Sequence, residues 1–149
     1  MFIESAFGLK LMFLLDTNVI SEFRKTTESR INPRVKEWAE TKMPSTMFLS
    51  VITILEIELG ILRLERQDKK QSQVLRKWLM QFVLPAFVDR ILPINTPIAI
   101  RCASLHIPNP SSDRDAMIAA TAIEHRLTLV TRNTVDFDST KVKLINPWE

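Results

Sequence analysis

The chain has 149 residues, 46% apolar and 25% charged, with a formal net charge of +3 and a pI near 9.2. These proportions fit one globular domain (residues 1–149) with a proper core and exclude disordered and fibrous classes. A single cysteine, Cys102, excludes an internal disulfide and, with only two histidines, a zinc-finger framework, while the mild basicity permits a nucleic-acid partner without demanding one.

Residues 1–11 carry an early acid, Glu4, and no basic stretch ahead of an apolar core. They do not read as a secretory signal and are expected to be an extended start ahead of the fold. No apolar run approaches membrane-spanning length. No membrane association is expected, and a soluble, cytoplasmic protein is.

The first strand is expected over about Leu11 to Leu15, followed by a helix from Thr17 to about Phe23 capped by Asp16 or Thr17. Asn32-Pro33, a capping residue and then proline, starts a second helix over Val35 to Thr41. Met47 to Val51 reads as a short buried strand, and a long helix is expected from Thr53 to about Arg66. A further helix from Lys70 to Leu84 places Val74, Leu75, Trp78, Leu79 and Phe82 at core spacing, with Pro85 at its end. Arg90 to Ile94 is expected as a third strand whose proline suggests a strand end or a sheet edge. Thr96-Pro97 opens a helix to about His106, and Ser111 or Ser112 caps the next, which ends near His125. Thr128 to Thr131 is a fourth strand and Val142 to Ile145 a fifth. Strands alternating with one or two helices point to a three-layer α/β/α domain with a short, mainly parallel sheet of four to five strands. Two glycines in the whole chain leave no Gly-rich phosphate loop, so Walker-type and Rossmann-type nucleotide binding are not expected.

Four acids sit where these elements end or begin. Asp16 follows the apolar run Leu11 to Leu15, at the strand end where open α/β sheets place their ligands. It is equally suited to cap a helix. Glu56 falls in a narrow polar gap with Thr53, Gly60 and Arg63, between two apolar stripes, Ile52-Leu55-Leu59-Leu62 and Ile54-Ile57-Ile61-Leu64. Such a helix is expected to be largely buried. A carboxylate hemmed in there needs a partner, with Arg63 the bland option. Asp115 ends the capping-box spacing Ser112-Asp113-Arg114-Asp115 and is preferred to the alternative carboxylate, Asp113, because it directly abuts the small face Ala116 to Ala122. Asp136 lies in the loop Thr131 to Phe137, where Thr131 and Asn133 offer further side-chain oxygens. Converging carboxylates repel unless a cation lies between them. Magnesium is the expected cation, with manganese as its substitute, which points to metal-assisted phosphoryl chemistry. Cys102 is expected to be a buried thiol. His106 and His125 have no nearby serine or cysteine in a suggestive context, so a hydrolytic triad is not expected.

The segments Phe13 to Glu22, Ser50 to Glu56, Asp115 to Ala122, and Leu129 to Asn133 with Asp136-Phe137 together resemble the PIN-domain ribonucleases. They look closest to the VapC toxins of bacterial toxin–antitoxin pairs, in the FitB-like branch. The resemblance covers about Met12 to Pro147. It implies a PIN fold, metal binding by Asp16, Glu56 and Asp115, and a more variable fourth catalytic acid, for which Asp136 and Asn133 compete. Thr17 and Asn18 would order the first acid and Thr131 would line the site. It also implies a homodimer, an RNA substrate, and a cognate antitoxin that covers the site and itself supplies operator DNA binding. Arg132 and the basic residues between Arg63 and Lys77 could meet RNA phosphates, although solvated helix faces explain them equally well.

The expectation is therefore a magnesium-dependent endoribonuclease acting as a toxin. The alternative is a catalytically silent module of the same fold that binds RNA or protein. A phosphatase with an aspartyl nucleophile fits less well, because Asn18 stands where that chemistry wants a second acid. The RNA target, the number of metal ions and the identity of the antitoxin are not legible in the sequence.

Overall fold

Short apolar strands that pair only in parallel must be covered on both faces, and this requirement organises the chain. A computed structural model describes residues 11–149; the extended start expected at residues 1–11 falls, apart from Leu11, outside the described residues. In chain order the elements are β1 (Phe13–Leu15), α1 (Thr17–Phe23), α2 (Pro33–Glu40), β2 (Met47–Ser50), α3 (Val51–Glu65) and α4 (Lys69–Trp78). A π turn at Leu79–Val83 carries α4 on into α5 (Leu84–Ala86). There follow β3 (Ile91–Leu92), α6 (Thr96–Ser104), α7 (Asp113–Glu124), β4 (Thr128–Val130), a 3-10 segment at Thr134–Thr140 and β5 (Leu144–Ile145). The five strands form one sheet in the order β3-β2-β1-β4-β5, and every pairing is parallel.

Side chains alternate across this sheet as its pleat requires. Phe13 and Leu15 face one layer with Met47, Leu49, Ile57 and Ile61. Leu14 and Leu129 face the other with Ile118, Ala119, Ala122 and Phe137. Ala116, Ala119, Ala120 and Ala122 are fully buried, so small side chains let α7 lie close against the strands. The expected three-layer α/β/α arrangement is thus present, with a sheet that is wholly parallel. Among the described residues no helix is long and apolar enough to cross a membrane.

Several local expectations shift. The long helix α3 starts at Val51, two residues early, because the buried Ser50 caps it by accepting from the Ile52 N–H at 3.0 Å. At α6 the cap is Asn95, whose side chain accepts from the Ile98 N–H at 3.1 Å, so Thr96 is already helical. The helix beginning at Lys69 does not stop before Pro85. Its last turns widen to π spacing, with the Leu84 N–H bonded to the Leu79 carbonyl, which makes room for a residue that has no N–H and crowds the preceding turn. Leu79 and Val83 point inward, while Val74 and Phe82, expected in the core, are exposed.

The two apolar stripes of α3 fare unequally. Ile57 and Ile61 are buried, whereas the other stripe is buried at Ile52 and open at Leu55 and Leu62, so it is covered only at its start. Glu58, on α3, forms an ion pair with Arg76 on α4 and stitches the two helices together. The neighbours Ile61 and Leu62 should then behave oppositely. Ile61→Ala is expected to cost about 2–5 kcal/mol, and Leu62→Ala less than about 0.5 kcal/mol. Denaturant melts of the two variants measure this, and similar losses would contradict the assignment of faces.

Candidate active site

The chain builds outward from β1 to β2 and β3, then crosses back to place β4 on the other side of β1. The strand order therefore reverses between β1 and β4. Helices leave the sheet in opposite directions at such a point and open a crevice beyond the carboxyl ends of the strands. Leu15 pairs with Val130 at the last register position, so Asp16 and Thr131 emerge side by side. The Asp16 N–H donates to the Val130 carbonyl at 2.9 Å.

Asp16 is almost fully buried, and a buried carboxylate needs donors. The Thr17 N–H donates to Oδ1 at 2.8 Å, which makes Asp16 the cap of α1 as well. The Thr131 hydroxyl donates to Oδ2 at 2.7 Å, and the Asn18 amide reaches the same oxygen at 3.3 Å. With its one proton committed to Asp16, Thr131 accepts from the Asn18 amide at 3.4 Å and the Asn133 N–H at 3.1 Å. The Asn18 carbonyl oxygen accepts from the Arg132 N–H at 3.2 Å, and that bond sets the amide's orientation. Both readings of Asp16 are thus realised together, as a cap and as the acid at the strand end.

Glu56 is drawn to the same place from α3. The Thr17 hydroxyl donates to its Oε1 at 2.6 Å. The hydroxyl of the buried Thr53, one turn earlier on α3, lies 3.1 Å from that of Thr17. Since Thr17 has given its proton to Glu56, Thr53 is the donor in that contact. The cation facing Glu56 is Arg114 of α7, with Nη1 at 3.9 Å from Oε2. Arg63, the partner weighed from the sequence, is exposed on α3.

Asp115 stands in the first turn of α7. Ser112 occupies the cap position, but its side chain makes no capping bond, so the capping-box reading of Ser112 to Asp115 does not hold. The Asp115 carboxyl is instead pushed up to about 6, first by burial and then by the charges of Asp16, Asp136 and Glu56, with Arg114 pulling the other way. Burial also pushes Asp16 above the usual carboxylate range, against the bonds from Thr131 and Thr17, and Glu56 and Asp136 add to the rise. Each of the four acids thus lies within the electrostatic reach of others in the group.

Asp136 is exposed on the 3-10 segment after β4, with its N–H bonded to the Asn133 carbonyl at 3.1 Å. Its charge acts on both Asp16 and Asp115, whereas Asn133 acts on the network through its backbone. The Arg132 guanidinium sits over the Trp148 ring, 5.2 Å from its centroid, at the exposed rim. Cys102, expected to be buried, is only half-buried, and partial burial raises its thiol, with Asp113 adding to the rise.

Among the described residues no three His, Cys, Asp or Glu side chains are packed tightly enough to enclose an ion on their own. Four mutually repelling acids would hold such a spacing unless a cation drew them in. The donors are all oxygens, and magnesium is commonly held by one or two carboxylates while keeping several waters. The donor set therefore suits a hard divalent ion and not zinc. Two residues of the site, Thr53 and Arg114, were given no role there from the sequence. Thr53 was detectable from its place one helical turn before Glu56. Arg114 was hidden among the acids of a helix start. Glu22, buried in α1, is held by the Asn32 N–H at 2.8 Å and Lys25 at 3.0 Å and joins α1 to α2. Its carboxyl stays below the usual range because these bonds, with the charges of Lys25 and Arg132, outweigh the opposing effect of burial, the largest single influence.

The family model for the PIN domain matches residues 13–143. Toxin FitB of Neisseria gonorrhoeae is 39% identical over 142 residues, covering 92% of this chain and 99% of that protein. VapC ribonuclease Y4jK of Sinorhizobium fredii is 34% identical over 143 residues, covering 93% and 99%. The solved structure of FitAB bound to the IR36 DNA fragment superposes with a TM-score of 0.80 at 36% identity, covering 93% of this chain and 96% of that one.

The raised Asp115 carboxyl has a consequence for stability. A carboxyl whose folded pKa lies above its unfolded value penalises folding at neutral pH, and the penalty is relieved as pH falls through the folded value. In metal-free buffer the thermal midpoint should rise as pH is lowered from 7 to 5, and Asp115→Asn should remove most of that slope. Scanning calorimetry on both proteins measures it. A midpoint that falls across this window in the parent, or an unchanged slope in the variant, would contradict the coupling.

Proposed function

The chain belongs to the PIN-domain family, and from that premise we propose that it is a magnesium-dependent endoribonuclease, the cytoplasmic toxin of a toxin–antitoxin pair. The observation that carries this reading is the gathering of four acids at the reversal of strand order, where Glu56 and Asp136 press on Asp16 and all three press on Asp115. Such a group of acids invites a cation. The names of two relatives, a VapC ribonuclease and a toxin, support the activity and its biological setting.

Asp16, Glu56 and Asp115 would hold the metal, with Asp136 and Asn133 serving a second ion or its waters. A bound magnesium ion would supply a Lewis acid for the scissile phosphate and a water of lowered pKa for in-line attack. The protein's own part is positional. Thr131, Thr17 and Asn18 fix both oxygens of Asp16. Thr17 holds Glu56 by Oε1 and leaves Oε2 accessible to a cation. Arg132, at the exposed rim, offers a guanidinium for RNA phosphates.

A cognate antitoxin and a homodimer complete the proposal, with operator DNA bound through the antitoxin. The FitAB assembly bound to DNA supports that arrangement. Loss of the acid charge tests the reading against a silent module of the same fold. Asp16→Asn should lower cleavage of an RNA substrate by at least about 10²–10³-fold while its circular dichroism spectrum stays unchanged. EDTA should abolish cleavage by the parent protein, and added Mg²⁺ restore it. Full cleavage by the variant, or in EDTA, would overturn the mechanism.

A further inference from the structure

We propose that Arg114 is a placeholder cation that holds Glu56 in the metal-free protein and turns to an RNA phosphate once Glu56 is committed to the metal. The inference rests on the metal-dependent nuclease reading and adds a positioning and substrate-contacting residue to it.

Three observations carry it. First, the geometry is loose. Arg114 Nη1 stands 3.9 Å from Glu56 Oε2, beyond hydrogen-bond range and short of the bidentate clamp that arginine makes with a carboxylate when the pair is built to stay. The other oxygen of Glu56 is already fixed by Thr17. A divalent ion and the guanidinium would therefore compete for Oε2 alone.

Second, helix formation does not explain this arginine. Arg114 lies in the first turn of α7, the positive end of the helix, where a cation is disfavoured and acids belong. Its neighbour Asp113 turns away into solvent, 90% exposed, with only a long 3.6 Å approach to His106 Nε2. Arg114 instead answers the charge of the acid cluster, and it is one of the causes that hold Asp115 down.

Third, the side chain faces both ways. Arg114 is 42% exposed, against 26% for Glu56, so it stands on the solvent side of the carboxylate. Released from Glu56, a guanidinium there keeps its full set of donors. It can fork onto two oxygens of a phosphodiester, a contact that a lysine ammonium cannot reproduce.

The experiment compares the parent protein with Arg114→Ala, Arg114→Gln and Arg114→Lys. Mn²⁺ binding to the RNA-free proteins is measured by electron paramagnetic resonance, and kcat and KM are measured on an oligoribonucleotide. Removing the competitor should tighten Mn²⁺ binding about threefold in the Ala and Gln variants. Loss of the phosphate contact should raise KM for RNA about tenfold with a smaller fall in kcat. Arg114→Lys should restore parent-like Mn²⁺ binding yet leave KM raised. Unchanged Mn²⁺ affinity, or weaker binding in the Ala and Gln variants, would overturn the placeholder role. An unchanged KM would overturn the phosphate contact. A parent protein that neither binds Mn²⁺ nor cleaves RNA would overturn the nuclease reading itself, and this inference with it.

Discussion

The pairing of β1 with β4 fixes everything that matters at the site. Their shared last register position delivers Asp16 and Thr131 to the same point, and the backbone bond from Asp16 to Val130 locks the two exits together. A carboxylate so deeply buried is tolerable only if donors meet it. Thr131, Thr17 and Asn18 do so. Those donors then recruit the rest, because Thr17 also holds Glu56, and Asn18 and Thr131 anchor the backbone of Arg132 and Asn133. One hydrogen-bonded network thus joins residues from the first strand, the third helix and the loop after the fourth strand.

The acids themselves work against the fold's stability, and the donors around Asp16 offset part of that cost. Burial and like charges lift Asp16 and Asp115 above the usual carboxylate range. Such strain persists only where the surroundings over-determine it. Here the surroundings are rigid. β1 and β4 are buried along their whole length, both faces of the sheet are packed, and the alanine face of α7 lies against these strands. Arg114 relieves part of the charge from the solvent side. The acids are held near one another without being neutralised, as the proposed metal-dependent activity requires.

Much of the architecture was legible along the chain because its signals are local. An apolar run ending in Asp16, the Asn32-Pro33 start and the proline of an edge strand each act within a few residues, and the elements formed where these signals stand. The errors share a different cause. Val74 and Phe82 were assigned to the core by apolar spacing alone, whereas the inward face of this helix runs through Ser72, Leu79 and Val83. Leu55 and Leu62 were assigned to a buried face because an apolar stripe does not say whether another layer covers it. The spacing Ser112 to Asp115 matches a capping box, yet Ser112 makes no capping bond.

By itself, the sequence determined the layer order, the parallel sheet and the four acids, because periodicity, turn chemistry and charge are properties of short segments. Only the tertiary structure decided which partners those acids have. It assigned Glu56 to Thr17 and Arg114, with Arg63 left in solvent, and it gave Asp16 the hydroxyl of Thr131, 115 residues away. It also brought the charge of Asp136 to bear on Asp16 and Asp115, with Asn133 contributing through its backbone. The physical reason is that hydrogen bonds and charges act over a few ångströms of space. The crossing of the chain back to β4, and not distance along the sequence, sets which groups come within that range.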